Sequence, residues 1–183
     1  MSEKPQKKKS EIVELLETAF FSFIFVLILT TFFIKPVRVY GSSMYPTLHD
    51  GDTGFSSIIS LKIATIKRFD IVVVDLDSAN EHLVKRIIGL PNEQVCYQDD
   101  KLYIDGAYVE ESFLDEDYTD TYDNGSNFTK SFGCVVLGAD EYFVMGDNRP
   151  YSSDSRYYGT FTEDQIISKG VFVIWPFSDF GFR

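Results

Sequence analysis

The sequence has only two cysteines, two histidines and one tryptophan in 183 residues. Cys96 and Cys134 are too few for a disulfide scaffold and too far apart for a CxxC metal or redox motif. An extracytoplasmic setting would permit them to pair, but their separation in the fold is not legible, so that question stays open. No cluster of metal ligands and no cofactor motif stands out, and neither a metal nor a cofactor is expected. Positive charge is scarce as well: 17 Lys+Arg face 28 Asp+Glu, for a formal net charge of -11. This balance counts against nucleic acid as a partner, because phosphate binding needs clustered Lys and Arg. Apolar residues are not lacking, and a composition 44% hydrophobic and 16% aromatic excludes a disordered acidic tail. Internal repeats are absent.

The charge is unevenly placed. Residues 1–35 hold five Lys and four Glu (+1), which leaves -12 for residues 36–183. Thr18 to Ile34 is a run of 17 residues without a charge. As a helix it spans about 25 Å, near the lower limit for crossing a bilayer core. Ile12, Val13, Leu15 and Leu16 extend its apolar surface toward the amino terminus. Lys4, Lys7, Lys8 and Lys9 precede it, while Lys35 and Arg38 follow. The positive-inside bias therefore predicts a cytoplasmic amino terminus and an exported remainder. A cleavable signal peptide would have a shorter apolar stretch and small residues at its exit. Here the exit reads Phe32-Phe33-Ile34-Lys35-Pro36. A buried soluble helix would be amphipathic, and this one is apolar on every face. The expected division is a cytoplasmic segment at 1–17, a single transmembrane signal anchor at 18–36 and an extracytoplasmic domain at 37–183.

Beyond the anchor the pattern is mainly β. Phe69 to Asp75, His82 to Ile88, Gln94 to Tyr97, Lys101 to Ile104, Glu141 to Met145 and Gly170 to Trp175 read as strands. Asp99-Asp100 and Asp105-Gly106 read as tight turns between them. No stretch after residue 36 sustains a helical period, so an antiparallel sheet or barrel is expected. Residues 95–133 form a small insertion, whose segment 99–123 carries ten acidic residues and one Lys. Such a run is a solvated face. Tyr118 to Asn127 reads as a loop, and Asn124 and Asn127 begin weak glycosylation patterns.

Three stretches could carry chemistry. The first, Gly41-Ser42-Ser43-Met44-Tyr45-Pro46-Thr47-Leu48, lies just past the anchor. It could be only a tight loop, yet a nucleophilic serine needs this setting, with backbone N–H groups free to hold an oxyanion. The second is Lys85. In a strand, Leu83, Lys85 and Ile87 share one face and Val84, Arg86 and Ile88 the other, so one of the two cations points into apolar surroundings. Burial lowers a lysine pKa, and a neutral lysine can take a proton from a serine. Alternatively, Lys85 snorkels to solvent from a strand edge. The third is Gly146 to Arg156, rich in hydroxyls, with Asp154 two residues from Arg156.

In content and order, these stretches resemble the type I signal peptidases (leader peptidases) of bacteria. Ser43-Met44-Tyr45-Pro46-Thr47 is similar to the family's serine box, and Val84-Lys85-Arg86-Ile87-Ile88-Gly89-Leu90-Pro91 to its lysine box. Gly146-Asp147-Asn148-Arg149 through Ser152, Asp154, Ser155 and Arg156 is similar to the carboxyl-terminal box. Gly51-Asp52, Arg68-Phe69-Asp70 and Trp175-Pro176 extend the likeness over nearly the whole chain. The resemblance implies a membrane-bound serine endopeptidase with Ser43 as nucleophile and Lys85 as general base. Ser152 would orient the lysine amine, and Asp154 with Arg156 would brace the loop. Its substrates would be signal-peptide-bearing preproteins, cut after small residues at the cell membrane, close to the secretion translocon.

Two departures matter. Many Gram-negative relatives place a serine two positions before the nucleophile, where its hydroxyl serves the oxyanion hole. Gly41 stands there, so only backbone N–H groups near it remain as donors. Asn92-Glu93 follows Gly-Leu-Pro where many members continue with Gly, and Asn tolerates the left-handed backbone such a turn needs. A single anchor and a modest insertion look like the compact Gram-positive form.

Other readings are weaker. A Ser-His-Asp enzyme could use His49 or His82 with Asp50, Asp70 or Asp75, but neither histidine sits in a box that pairs with Ser43. A self-cleaving Ser–Lys repressor would bring a basic DNA-binding domain. A membrane-tethered, non-catalytic peptide-binding module would need neither the serine loop nor a lysine on an apolar strand. Val171 to Phe177 reads as core strand rather than membrane wedge, while Met44 and Tyr45 could touch the lipid interface.

Overall fold

The computed structural model describes residues 10–76, 81–121 and 127–183. The lysines at 4, 7, 8 and 9 and the pattern beginning at Asn124 lie outside them. Helix α1 (Glu11–Phe32) begins ahead of the uncharged run because the apolar surface already starts at Ile12. None of its residues is buried, and it is long and apolar enough to cross a membrane. It stops two residues short of the uncharged run's end. Ile34 instead opens strand β1 (Ile34–Arg38), an edge strand whose position at the sheet margin accommodates Pro36.

The main sheet continues with β2 (Thr53–Ser57), β3 (Ile71–Leu76) and β4 (Glu81–Gly89). The insertion supplies β5 (Gln94–Gln98), β6 (Lys101–Ile104), β7 (Ala107–Val109) and β8 (Phe132–Val136). The chain then returns through β9 (Glu141–Met145), β10 (Phe161–Thr162), β11 (Ile166–Trp175) and β12 (Gly181–Phe182). Neighbours in the main sheet run β1-β2-β11-β3-β4-β9-β10, with β12 also pairing β11. The insertion is a separate sheet in the order β7-β6-β5-β8, and every pairing in both sheets is antiparallel. The mainly β architecture expected from the sequence is the one observed.

Two strand turns follow their residues closely. Asp99-Asp100 and Asp105-Gly106 all take positive φ, which suits two-residue hairpins. Asn92 is also left-handed at φ 67°, and Glu93 braces the same turn by accepting the Leu90 N–H at 2.7 Å and pairing with Arg68 at 2.6 Å. The expectation of no helix after residue 36 needs correction at three short elements. These are α2 (Ile58–Ile63), capped by Ser57, then α3 (Glu116–Thr121) and α4 (Ser155–Tyr158), capped by Asp154. Helix α3 occupies part of the stretch read as loop from Tyr118. One or two turns are too short to generate a visible apolar period, so caps rather than periodicity define them.

Among the described residues, three apolar clusters hold the domain. One lies between β3, β4 and β9, around Val72, Val74, Ile87 and Val144. A second joins the main sheet to the insertion through Ile88, Val95, Tyr97, Leu102 and Met145. The third packs Val39, Met44 and Leu48 on Ile71, Val171 and Val173. That last cluster decides the reading of the carboxyl-terminal strand: Val171 and Val173 are core, whereas Trp175 and Phe177 are exposed. Cys96 and Cys134 form a disulfide between neighbouring strands β5 and β8.

Candidate active site

The segment from Gly41 to Asp52 turns back on itself directly after β1. Gly41 takes φ +78°, a backbone conformation that side-chain-bearing residues rarely adopt, and its N–H donates to Asp50 Oδ1 at 2.7 Å. Met44 and Leu48 are buried beneath the turn and anchor it to the core. Ser43 is left half-buried at the surface of this anchored turn.

Lys85 approaches from the opposite wall. It lies in β4, flanked by β3 and β9, with Leu83 and Ile87 on the same face. Only 2% of it is exposed, so it does not snorkel to solvent. Its Nζ lies 2.7 Å from Ser43 Oγ and donates to it. Burial draws the Lys85 pKa down from 10.5 to about 8; the charges of Asp154 and Asp147 resist that fall, and Arg156 assists it. A lysine so placed can lose its proton near neutral pH and then accept one from the serine hydroxyl it touches.

The third stretch closes the site from β9. Gly146 leaves no room for a side chain: a Cβ there would come within 2.3 Å of both Ser152 Oγ and the Ser43 carbonyl oxygen. The absent side chain is what lets the serine turn, residue 146 and Ser152 meet at one point. Ser152 Oγ is buried and makes no well-formed hydrogen bond of its own. Asp154 is fully buried. Burial alone would raise its pKa. Two hydrogen bonds from Arg156, at 2.8 and 2.7 Å, the guanidinium charge and the Gly146 N–H outweigh it and hold the carboxyl below its usual range. The structure thus brings Ser43, Lys85, Ser152, Asp154 and Arg156 into one region. Gly41 shapes the turn, but its N–H is committed to Asp50. Among the described residues the Ser43 N–H has no acceptor and remains free.

Several residues of the boxes received no role from sequence reasoning. Arg86, on the other face of β4, is also buried and donates from Nε and Nη2 to Asp147, at 2.8 and 2.6 Å. Asp147 in turn accepts from Thr47 Oγ1 at 2.5 Å, so one carboxylate links all three stretches. Asn148 donates its N–H to Ser43 O at 3.1 Å and its Nδ2 to Ser42 O at 2.9 Å. Arg149, 1% exposed, reaches Glu111 Oε1 in the insertion at 2.5 Å and also meets Tyr97 Oη. The available signal was charge without an obvious partner, at Arg86 on an apolar strand and at Asp147 and Arg149 in a loop. The histidines sit elsewhere: His82 lies 3.3 Å from Asp75, and His49 lies 3.4 Å from Asp179. A cavity of about 840 Å³ lies at the insertion and is lined by Asp100, Leu102, Tyr108, Glu111 and Phe128 rather than by the Ser–Lys pair.

Residues 12–175 match the family described as signal peptidase, peptidase S26. The chain belongs to that family. Members of the signal peptidase family that resemble this chain include signal peptidase I of Bacillus licheniformis, 38% identical over 178 residues, covering 97% of this chain and 96% of the relative. Signal peptidase I T of Bacillus subtilis (strain 168) is 39% identical over 180 residues, with 97% and 93% covered. Among solved structures, a signal peptidase I from Enterococcus faecalis V583 superposes with a TM-score of 0.55 at 34% identity, covering 58% of this chain and 97% of that one. Membership makes this protein a serine endopeptidase of signal peptides, as the three boxes implied.

Proposed function

We propose that this peptidase activity runs on a Ser43–Lys85 dyad. The observation that carries the proposal is the 2.7 Å contact between Ser43 Oγ and the amine of a lysine only 2% exposed. In the reaction, neutral Lys85 takes the hydroxyl proton as Ser43 Oγ attacks the scissile carbonyl carbon. The Ser43 N–H donates to the oxygen that becomes an oxyanion. When the tetrahedral species collapses, protonated Lys85 returns its proton to the leaving amine, and the mature protein departs with a new amino terminus. Water, deprotonated by Lys85, then attacks the acyl-serine; Lys85 returns that proton to the departing Ser43 Oγ as the signal peptide leaves with its new carboxylate. Ser152 orients the amine, and Asp154 with Arg156 holds the loop that presents it.

The preferred substrates in this reading are exported preproteins with small residues at the first and third positions before the cut. Helix α1 crosses the cell membrane with the amino terminus in the cytoplasm, which sets the dyad on the outer side, close to the bilayer and the secretion translocon. Support comes from the short stretch of eight residues, 33–40, that separates the helix end from the serine turn, and from the Lys4, Lys7, Lys8 and Lys9 cluster ahead of the helix. The test is cleavage of a model preprotein by full-length protein in detergent or liposomes. Wild type should cut, and Ser43→Ala and Lys85→Ala should each lose at least about a thousand-fold in rate. Comparable cleavage by either variant would remove the dyad assignment.

A further inference from the structure

Beyond its contact with Lys85, the serine turn also meets the carboxyl-terminal segment. Arg183 donates to the Thr47 carbonyl at 3.2 Å and to the Asp179 carbonyl at 3.2 Å, strapping the two segments together. Within the seam, donor atoms of His49, Asp52 and Asp179 all lie within 4.8 Å of one another. Asp52 is only 1% exposed. Its Oδ2 accepts the His49 N–H at 2.9 Å, but its Oδ1 is buried with no hydrogen-bond partner. An ionised carboxylate oxygen out of water without a donor is costly, and cations are the usual remedy.

His49 presents a matching deficit. Its Nδ1 is buried and has no hydrogen bond, although Asp179 Oδ2 is 3.4 Å away. Two atoms that close, without hydrogen-bond alignment, suit a pair of ligands facing a common point. Ligands about 2.1 Å from a tetrahedral ion stand about 3.4 Å apart. The ring is held by an edge contact with Tyr45, whose centroid is 5.2 Å away. One imidazole and two carboxylates form a donor set for first-row divalent transition metals, since calcium and magnesium prefer all-oxygen shells.

We propose that His49, Asp52 and Asp179 form a divalent transition-metal site of the zinc class, with water completing the shell. The ion ties the base of the serine turn to the carboxyl-terminal segment. It is a structural clamp and takes no part in the chemistry at Ser43.

Zinc titration of the untagged full-length protein in detergent, followed by calorimetry and by thermal unfolding, tests it. Wild type should bind one zinc ion per chain with a rise in Tm. Asp179→Asn and His49→Gln should each weaken binding about ten-fold or more and abolish the Tm rise. His82→Gln should bind like wild type. Asp52→Asn, read on protein whose circular dichroism matches wild type, should weaken zinc binding about ten-fold or more as well. Zinc binding of unchanged affinity in both Asp179→Asn and His49→Gln, or no binding by wild type, overturns the proposal. None of these readouts depends on peptide cleavage, so failure here is distinguishable from failure of the dyad.

Discussion

At the scale of single residues, the decisive fact is that Lys85 can afford to be neutral. A lysine in water is almost wholly charged at pH 7, and its three N–H groups can only donate. Burial in β4 lowers its pKa to about 8, against the pull of Asp154 and Asp147. Preprotein cleavage should therefore rise with pH through about 8 and level off above it, as read from the rate at limiting substrate. Lys85→Arg should be inactive across that range, because a guanidinium keeps its proton. The same burial is a stability term. Between the folded value of about 8 and the unfolded value of 10.5, the unfolded chain holds more protons, so stability rises with pH there and the full penalty applies below about 8. That difference corresponds to about 3 kcal/mol. Lys85→Met should thus be inactive yet stabilised at pH 7 by up to that amount, with its advantage shrinking toward pH 10.5. Denaturant titration at pH 7 and pH 10 would check it.

At the scale of elements, the site is assembled from charges that neutralise one another across long loops. Asp147 binds Arg86 of β4 and Thr47 of the serine turn, so the loop after β9 is positioned from both sides. Arg149 connects the same loop to the insertion through Glu111. Glu111→Gln leaves the buried guanidinium without its counter-charge and should destabilise the protein by about 3–5 kcal/mol, measured by denaturant unfolding. The β5–β8 disulfide adds a covalent link within the insertion sheet. Replacing both Cys96 and Cys134 by Ser should cost about 2–4 kcal/mol in the same assay. Six of the twelve described strands, including the two longest, were legible. Lys101–Ile104 and Glu141–Met145 match their sequence boundaries, because β-branched and aromatic runs stopped by turn residues are local signals. The two- and three-residue strands β7, β10 and β12 were not anticipated, and neither were β1, β2 and β8. Their residues, such as Gly54, Ser56 and Gly133, lack that composition, and pairing with a neighbour is what makes them strands.

At the scale of the whole molecule, α1 and the β domain are held by different solvents. No residue of α1 is buried in protein, whereas three clusters pack the sheets. Deleting residues 1–32 should leave a domain with wild-type near-ultraviolet circular dichroism that no longer sediments with liposomes. A Tm fall of more than a few degrees would show that the helix contributes to the core.

The candidate residues Ser43, Lys85, Ser152, Asp154 and Arg156 were named from sequence through the resemblance of three ordered stretches to a family, because such boxes are local strings of residues. So were the apolar anchor and half of the described strands, the longest among them, which depend on neighbours in the chain. Sequence left Lys85 and Arg86 as alternatives for burial. The structure buries both, one against Ser43 and the other against Asp147. Only tertiary structure decided the Ser–Lys contact, the Arg149–Glu111 pair, the disulfide and the meeting of His49 and Asp52 with Asp179. Each joins residues far apart in the chain. Their separation is set by strand register and by close approaches such as that at Gly146, and neither is encoded in any short stretch of residues.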